Sequence, residues 1–368
     1  MKVIQIEAIP FRIPLKKASR WGAHGKRDAQ DHVVVRITSE SGKVGIGEAP
    51  ARPSIYGETQ RSIVHIVRDT IAPMLIGCDP LDRESYQDKL AAVPWNPTAK
   101  AAIDTALHDL AAQELGVNLA RLLGGQLKPV EVSWMLSLNF NDDTEFVREA
   151  MDVRERYGIR AFKIKAGSDP AGDIRRMEML RRALGDDALL FIDANQLYAP
   201  DVAIRTIRAM EHFGLAMAEE PVAVTLGSWR KKVADAIATP ILADDSVFSL
   251  AEARRELQDG AIGVMGIKIA RTGMYESMRI AHAAEAFGLP CWIGSQGVSG
   301  IGAVASAQFA AAFRSVTYPA DLSTPLKQQD DLLAHPIDIR DGKLHVPDVP
   351  GAGAEIDADK LAMYRLDW

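Results

Sequence analysis

Five charged residues recur through the middle of this sequence at nearly equal intervals: Lys165, Asp193, Glu219, Asp244 and Lys268. Successive members are 24 to 28 residues apart, and each follows a short apolar stretch. One strand with its returning helix takes about that many residues in an eight-fold β/α barrel. The interval therefore predicts five successive parallel strands that each end in one charged group at the same rim.

The segments around these residues alternate between amphipathic helices and short apolar strands, separated by Gly or Pro turns. Helices are predicted at 175–183, 203–212, 229–237, 249–257 and 275–287, with strands beginning near Leu189, Leu215, Ile241, Val264 and Pro290. The last two strands are predicted at 290–294 and 316–322. Alternation of this kind predicts a parallel sheet, and a count near eight strands predicts closure into a barrel.

The first third of the chain has a different pattern. Residues 1–14 and 32–49 alternate as antiparallel strands do, and a turn at 41–42 divides the second stretch. Two irregular loops, 18–31 and 47–59, have the composition of a lid over the active site of another domain. Their aromatic and basic residues are candidates for contacts with a substrate: Trp21, Arg52 and Tyr56.

Helices are predicted from about residue 59 to residue 123, one of them capped by Thr98. The predicted fold is therefore α/β, a modified (β/α)7–8 TIM barrel with an N-terminal α+β capping domain. We assign residues 1–126 to the capping domain and residues 127–337 to the barrel that carries the active site. The tail, about 338–368, has hairpin character and is expected to rejoin the capping domain.

Composition narrows the classes of function. The chain has 368 residues, 47% of them hydrophobic, which is ample for a large core and a smaller second domain. A net charge of −6 argues against binding to nucleic acid or a membrane surface. Cys78 and Cys291 form no disulfide framework, and the sequence shows no signal peptide and no apolar run of about 18 residues. We expect a cytoplasmic protein that acts on a small molecule.

Three of the evenly spaced residues are carboxylates, with neither His nor Cys among them: Asp193, Glu219 and Asp244. Oxygen ligands at this low count suit Mg²⁺, with Mn²⁺ as the alternative, and leave coordination positions for water and substrate. The competing interpretation is that Asp244 caps the next helix and that Glu219 is solvated. Caps have no reason to keep the barrel interval, so a metal site is favoured. Strand alternation selects Glu219 over Glu220 and Asp244 over Asp245.

The lysines stand before and after the carboxylates along the chain. Lys163 and Lys165 are two residues apart, so they point to the same face of their strand. Lys268 lies in an apolar stretch, where desolvation is expected to lower its pKa, and Lys163 is expected to lower the pKa of Lys165. The alternative is a structural ion pair of Lys268 with Asp244 or Asp193. Two amines flanking a metal predict proton transfer at the carbon α to a carboxylate, through an enolate.

Several short segments resemble those of the enolase superfamily, and within it the muconate lactonizing enzyme subgroup. They are Lys-Ile-Lys, Asp-Ala-Asn, Glu-Glu-Pro, Ala-Asp-Asp-Ser and Gly-Ile-Lys-Ile-Ala-Arg-Thr-Gly, in that order. The resemblance covers the whole chain and implies an isomerase that forms a homo-oligomer. It implies that Lys165 and Lys268 are an acid/base pair and that Lys163 assists them electrostatically. It also implies three Mg²⁺ ligands, Asp193, Glu219 and Asp244, with Asn195 and Asp245 beside them.

The segments at 47–59, 96–100 and 268–273 are most similar to those of syn-type muconate cycloisomerases. The seventh and eighth strand segments differ from that pattern, and they contain the further candidate substrate contacts Gln296 and Asp321. Because such segments face the distal end of a substrate, the substrate itself is left open.

Three functions are therefore carried forward. The first is a cycloisomerase acting on muconate or a related unsaturated diacid. The second is a racemase or epimerase of an amino acid, a proline derivative or an N-acyl amino acid, as the paired lysines permit. Dipeptide epimerases of the subgroup have Asp-x-Asp on the eighth strand, whereas here Asp321 is followed two residues later by Ser323. The third is a non-catalytic metal-binding protein.

Overall fold

The structure is a computed structural model that describes residues 1–20, 26–136 and 143–367. The described chain contains a three-stranded antiparallel sheet, a seven-stranded parallel sheet and a small three-stranded sheet that includes the tail. The predicted fold class, a β/α barrel with an N-terminal α+β capping domain, is confirmed. Trp21, a predicted substrate contact, lies outside the described residues.

The capping sheet consists of β1 (Val3–Arg20), β2 (Lys26–Ser39) and β3 (Val44–Pro50). The turn between β2 and β3 lies where the sequence predicted it. The predicted irregular loop at 18–31 is wrong in extent, because both β1 and β2 continue into it and pair there, Ser19 with Arg27. Polar alternation far from a core is a weak strand signal, which is why the hairpin extension was missed.

Six helices follow the sheet, with a π-helical turn at Val67–Ile71 between the second and third. They are α1 (Pro53–Tyr56), α2 (Gln60–Ile66), α3 (Ala72–Leu75), α4 (Arg83–Ala91), α5 (Pro97–Leu115) and α6 (Leu119–Leu122). The predicted cap Thr98 is wrong: Asn96 occupies the cap position, and the Thr98 hydroxyl donates to Glu58 instead. Helix α5 packs so closely on β3 that a Cβ on Gly47 would lie 2.0 Å from a helix carbonyl.

The barrel alternates strands and helices as predicted. The short strand β4 (Val130–Glu131) comes first and belongs to the small sheet that includes the tail. The barrel strands are β5 (Ser133–Leu136), β6 (Ala161–Lys165), β7 (Leu189–Asp193), β8 (Leu215–Glu219), β9 (Ile241–Ala243), β10 (Val264–Ile267) and β11 (Cys291–Ile293). Its helices are α7 (Asp143–Tyr157), α8 (Pro170–Leu184), α9 (Pro200–Glu211), α10 (Ser228–Ala236), α11 (Leu250–Asp259), α12 (Ile269–Ala286) and α13 (Gly300–Ala312). Strands β5 to β11 are neighbours in sequence order, so the sheet curls in one direction.

The predicted eighth strand at 316–322 does not form a regular strand, although the structure describes all of its residues. Isolated bridges join Val316 to Cys291 on one side and Ala320 to Val132 on the other. In two further backbone hydrogen bonds, the Asp321 N–H donates to the Ile293 carbonyl and the Ser133 N–H donates to the Ala320 carbonyl. The segment therefore closes the barrel between β11 and β5 through single contacts.

The tail consists of β12 (Asp338–Arg340), β13 (Lys343–His345) and α14 (Ala358–Tyr364). Strand β13 pairs with β4 at the foot of the barrel, whereas α14 packs against β1 of the capping sheet. The tail therefore contacts both parts of the chain. The domain limits at 126 and 337 stay a prediction. None of the helices in the described ranges is long and apolar enough to cross a membrane.

Candidate active site

Strands β6 to β8 bring the first charged groups together at one rim of the barrel. Lys163 and Lys165 lie on β6, Asp193 ends β7 and Glu219 ends β8. The strand register sets Lys165 beside Asp193, and Asp193 beside Glu219. The even interval along the sequence therefore becomes a row of neighbouring side chains, as predicted.

Two further groups complete the row. Asp244 directly follows β9, and Lys268 directly follows β10 at the N-cap position of α12, not within a strand as predicted. The six charged side chains line one cavity of about 50 Å³, and none of them is more than 8% exposed. The cavity is also lined by Ile55, Met135, Asn195, Asp245, Ser295, Gln296, Gly297, Asp321 and Thr324.

Strand alternation explains why these acids point into the barrel. Side chains two residues apart face the same side of a strand. Two residues before each acid, an apolar side chain fills the barrel interior below the cavity: Phe191, Met217 and Leu242. Trp292 belongs to this apolar cluster, and the Lys163 amine lies 4.6 Å from the centre of its ring. The charged cavity therefore rests on a packed apolar floor that excludes water from below.

Each lysine in the cavity contacts a carboxylate. The Lys165 amine lies 2.5 Å from Asp193 Oδ2, and the Lys268 amine lies 2.5 Å from Asp244 Oδ2. Lys163 contacts Asp321 at 2.9 Å and Glu219 at 3.3 Å. The ion pair of Lys268 with Asp244, the alternative that the sequence left open, is therefore present. It does not move either group away from the cavity.

The predicted fall in the pKa of Lys268 is wrong in this structure. Burial favours the neutral amine, but the carboxylates of Asp244 and Glu219 outweigh burial and raise the pKa of Lys268 to about 12. The same balance, with Asp321 and Glu219 as the opposing charges, raises the pKa of Lys163. The sequence argument counted desolvation and omitted the carboxylates that fold against the amines.

The acids of the cavity differ in their electrostatic surroundings. Burial and the neighbouring Asp193 raise the pKa of Glu219 well above its usual value. Burial acts in the same direction on Asp244, but Lys268 and Arg271 hold the pKa of that carboxyl below its usual range. A cation bound beside Glu219 would relieve the repulsion that this carboxylate experiences from its acidic neighbours.

The donor atoms suit a hard divalent cation, because all of them are carboxylate oxygens. One of these oxygens, Glu219 Oε1, is buried with no hydrogen-bond partner among the residues that the structure describes. The spacing is not that of a closed metal site: within the described ranges, no three His, Cys, Asp or Glu side chains form a metal-binding group. Lys165 and Lys268 instead hold oxygens of Asp193 and Asp244.

The second acid of each doublet has a different position. Glu220 faces away from the cavity and pairs with Arg230 at 2.6 Å, while its other oxygen accepts from the backbone of Asp244. Asp245 lines the cavity and accepts from Gln196 at 3.0 Å. Asn195 accepts from the Lys165 amine at 2.7 Å. The choice of Glu219 over Glu220 therefore agrees with the geometry.

Gln296 and Asp321 line the cavity as predicted, whereas Arg52 and Tyr56 do not. Tyr56 lies in a neighbouring cavity of about 630 Å³, and its buried hydroxyl has no partner among the described residues. Burial raises the pKa of Tyr56 to about 12. Arg52 is fully buried, with its guanidinium against backbone carbonyls.

Several residues in or beside the cavity were not predicted from the sequence. Ser295 and Thr324 line the cavity and lie 3.1 Å apart, oxygen to oxygen. Arg271 donates to Asp244 at 3.2 Å from the first turn of α12. Its position three residues after Lys268 could have predicted this contact, because residues three apart in the first turn of a helix lie close together. Ile55 had no signal, because an apolar loop residue is usually only surface.

Comparison with known proteins agrees with this geometry. Residues 5–124 match the mandelate racemase/muconate lactonizing enzyme N-terminal domain, and residues 145–360 match the enolase C-terminal domain-like family. The muconate lactonizing enzyme of Mycobacterium smegmatis, solved with muconolactone, matches with a TM-score of 0.96 and 40% identity, covering 100% of both chains.

Two curated relatives are enzymes with different reactions. The L-Ala-D/L-Glu epimerase of Clostridium acetobutylicum is 33% identical over 348 residues, which is 93% of this chain and 96% of the relative. The chloromuconate cycloisomerase of Cupriavidus pinatubonensis is 33% identical over 370 residues, which is 99% of each chain.

A capped β/α barrel with lysines and carboxylates at its rim defines an enzyme of the enolase superfamily. The chain belongs to the mandelate racemase/muconate lactonizing enzyme family, as both domain matches show. The resemblance inferred from the motifs is therefore confirmed at the level of the family, and so is the prediction of an enzyme.

Proposed function

We propose that the protein is a metal-dependent cycloisomerase that converts a muconate-type unsaturated diacid to its lactone. The supporting observation is the position of Lys165 and Lys268 on either side of the carboxylate row. Strands β7 to β9 separate β6, which carries Lys165, from β10, which precedes Lys268. An amine on each side can transfer a proton at the α carbon of a carboxylate bound between them.

The reaction balances without a further reactant. One carboxylate oxygen of the diacid adds to the alkene carbon β to the other carboxylate and forms the lactone C–O bond. The π electron pair moves to the α carbon and its carboxylate as an enolate. A lysine ammonium, from Lys165 or Lys268, donates one proton to the α carbon, so that the product is an isomer of the monoprotonated diacid.

The other polar residues of the cavity would stabilise the negative charge that develops in this reaction or orient the groups that do so. Asp193, Glu219 and Asp244 would hold Mg²⁺, with Mn²⁺ as the alternative. When bound, the cation supplies positive charge to the carboxylate whose negative charge grows in the enolate. Lys163 adds a fixed positive charge beside Glu219, and Asn195 orients the Lys165 amine through their 2.7 Å contact. We assign Asp245 a supporting role beside the three Mg²⁺ ligands.

The eighth strand segment favours a diacid over a dipeptide. Asp321 contacts the Lys163 amine at 2.9 Å, and the Ser323 hydroxyl donates to the Ser133 carbonyl at 2.6 Å. A substrate ammonium group would therefore meet one carboxylate here, already paired, where dipeptide epimerases have two. A diacid has no ammonium group to hold and needs no such pair.

The second candidate is a racemase or epimerase of an amino acid, a proline derivative or an N-acyl amino acid. Two lysines on opposite sides of one carbon are what a two-base reaction needs, and the clostridial relative is named as an epimerase. In that reaction one lysine, as a neutral amine, removes the α proton. The other, as an ammonium, returns a proton to the opposite face.

Two parallel assays separate the candidates. The protein with MgCl₂ and cis,cis-muconate is followed by the loss of ultraviolet absorbance of the conjugated diacid. The same protein with L-Ala-L-Glu in D₂O is followed by NMR for deuterium at the α carbon. We expect loss of absorbance, and none in a protein treated with EDTA. Unchanged absorbance together with α-deuteration of the dipeptide would replace the first function by the second.

We also propose that the protein is cytoplasmic and that it forms a homo-oligomer. Native mass spectrometry of the purified chain measures the oligomeric state directly, and a purely monomeric spectrum would contradict it.

A further inference from the structure

One wall of the active-site cavity is a tight turn, Ser295–Gly297, which follows β11. All three of its residues line the cavity. Gln296 and Gly297 have φ angles of 63° and 70°, so two consecutive residues are in the left-handed region, one of them not glycine. Such a backbone is unfavourable on its own and persists where its surroundings hold it.

Arg52 of the capping domain holds this turn. Its Nε and Nη2 donate to the Gln296 carbonyl at 3.2 and 2.9 Å, and Nη2 also donates to the Gly297 carbonyl at 3.1 Å. The same guanidinium is fixed in its own domain by the Ala51 carbonyl at 2.9 Å and by Gln30 Oε1 at 2.5 Å. The buried Arg52 guanidinium therefore joins the carbonyls of both left-handed residues to the capping sheet.

Glu48, four residues before Arg52, holds the chain just beyond the turn. Its carboxylate accepts from the backbone N–H and the hydroxyl of Ser299, at 2.9 and 2.7 Å, and from the Gly302 N–H at 2.8 Å. His32 Nδ1 lies 2.7 Å from the same carboxylate. Glu48, within β3, and Arg52, just after it, thus hold the segment 296–302, and both side chains are buried.

We infer that Arg52 is a positioning residue for substrate recognition, because its guanidinium fixes the Ser295–Gly297 turn and thereby the place of Gln296 in the cavity wall. Arg52 is fully buried and is not one of the cavity-lining residues, so it acts through Gln296 and not by touching the substrate. This role replaces the direct substrate contact predicted from the sequence. It rests on the proposed function, which supplies the substrate.

The chain offers a matched control for this role. Arg181 also donates its guanidinium to backbone carbonyls, those of Phe213 at 2.8 Å and of Gly185 and Ala188 at 2.7 and 2.9 Å. Those turns precede β7 and β8 and lie at the opposite end of the barrel from the cavity. Removing Arg181 therefore removes the same kind of contact away from the active site.

The experiment compares Arg52→Met, Arg52→Lys and Arg181→Met with the parent protein. Kinetics with cis,cis-muconate give kcat and KM, and hydrogen–deuterium exchange with mass spectrometry reports on the peptide at 294–302. We expect Arg52→Met to raise KM about 10- to 100-fold with a smaller change in kcat, since the turn supplies none of the groups proposed to transfer the proton. Exchange at 294–302 should accelerate. Arg52→Lys should recover part of both effects, and Arg181→Met should change neither.

Two outcomes would overturn the inference. In the first, Arg52→Met has the KM and the exchange rate of the parent protein. In the second, Arg181→Met raises KM as much as Arg52→Met does, which would indicate a general loss of rigidity in the fold. If Arg52→Met does not fold, Arg52→Lys with its single amine carries the same comparison. If the parent turns over neither muconate nor L-Ala-L-Glu, the proposed function fails. The exchange difference between the Arg52 and Arg181 variants still decides whether Arg52 holds the turn.

Discussion

Two consecutive glutamates at the end of β8 are equally buried and have opposite surroundings. Glu219 and Glu220 are each 1% exposed. Glu219 faces the cavity, near Lys163 and two other acids, and one of its oxygens has no partner among the described residues. Glu220 faces the barrel exterior, where Arg230 and Ser246 use both of its oxygens. The backbone turns between them, with a φ of 38° at Glu220.

The difference teaches that burial alone does not mark a functional acid. Glu220 accepts from Arg230 at 2.6 Å and from the backbone N–H groups of Asp244 and Ser246 at 2.6 and 2.9 Å. Arg230 in turn reaches Glu256 at 3.1 Å. A buried acid with complete partners stabilises the fold, whereas one that keeps a free oxygen beside other acids can accept a cation.

The largest expected effect is on activity. Glu219→Gln should lower kcat about 10³-fold, because a neutral amide cannot supply the anionic oxygen that the site uses for its cation. The free energy of unfolding should change by less than about 1 kcal/mol, since Lys163, which contacts Glu219 at 3.3 Å, keeps its closer contact with Asp321 at 2.9 Å. The muconate assay and urea denaturation measure the two quantities. Parental activity in this variant would remove Glu219 from the site.

The converse variant should affect stability most. Glu220→Gln leaves Arg230 without its closest charge partner, which typically costs about 3–5 kcal/mol of the free energy of unfolding. Urea denaturation measures the loss, with the surface variant Glu178→Gln as control, expected within about 0.5 kcal/mol. Activity should fall at least tenfold less than in Glu219→Gln. A larger loss of stability in Glu219→Gln would reverse the comparison.

A third buried acid, Asp109, has only neutral partners among the described residues and sharpens the contrast with Glu220. It accepts from the N–H groups of Ala352 and Ile46 at 2.6 and 2.7 Å, and burial raises its pKa to about 6. Because the folded-state pKa lies above the unfolded value, its contribution to stability is complete below about pH 4 and is lost as pH rises through 6.

The Asp109→Asn variant should therefore lack part of the pH dependence of the parent. Between pH 4 and pH 6.5 the free energy of unfolding of the parent should fall relative to that of the variant, by about 2–3 kcal/mol. Denaturation curves at several pH values give this difference. Parallel pH profiles for the two proteins would show that the carboxyl of Asp109 keeps its ordinary pKa when buried.

The smallest expected effect is on cation affinity. Calorimetric titration with MgCl₂ should give a dissociation constant for Glu220→Gln within a few-fold of the parent, and one about tenfold weaker or more for Glu219→Gln. At Mg²⁺ concentrations 100 times the dissociation constant, the parent should gain about 2.7 kcal/mol of stability. A dissociation constant of Glu219→Gln equal to that of the parent would mean that Glu219 does not hold the cation.

The row of charged residues was predictable because it depends on local rules. Strand alternation and the barrel interval sufficed to align Lys165, Asp193, Glu219 and Asp244 at one rim and to prefer Glu219 over Glu220. Helix and strand positions in the barrel followed from periodicity, and most strand starts agree within a residue. These features need no knowledge of distant contacts.

What the sequence could not provide depends on distant contacts. The raised pKa of Lys268 comes from carboxylates on other strands. The buried position of Arg52 depends on carbonyls about 245 residues away. The eighth segment closes the barrel by isolated bridges, so the strand predicted at 316–322 does not form there. In each case the deciding partner is chosen by the tertiary fold.

The central claim is that Lys165 and Lys268, on either side of the carboxylate row, transfer a proton at the carbon α to a carboxylate. Conversion of cis,cis-muconate in D₂O with MgCl₂, followed by NMR of the lactone, tests it most directly. We predict one deuterium at the α carbon of the product in the parent protein, and no lactone from at least one of Lys165→Met and Lys268→Met. Lactone formed at the parental rate by both variants would contradict the account.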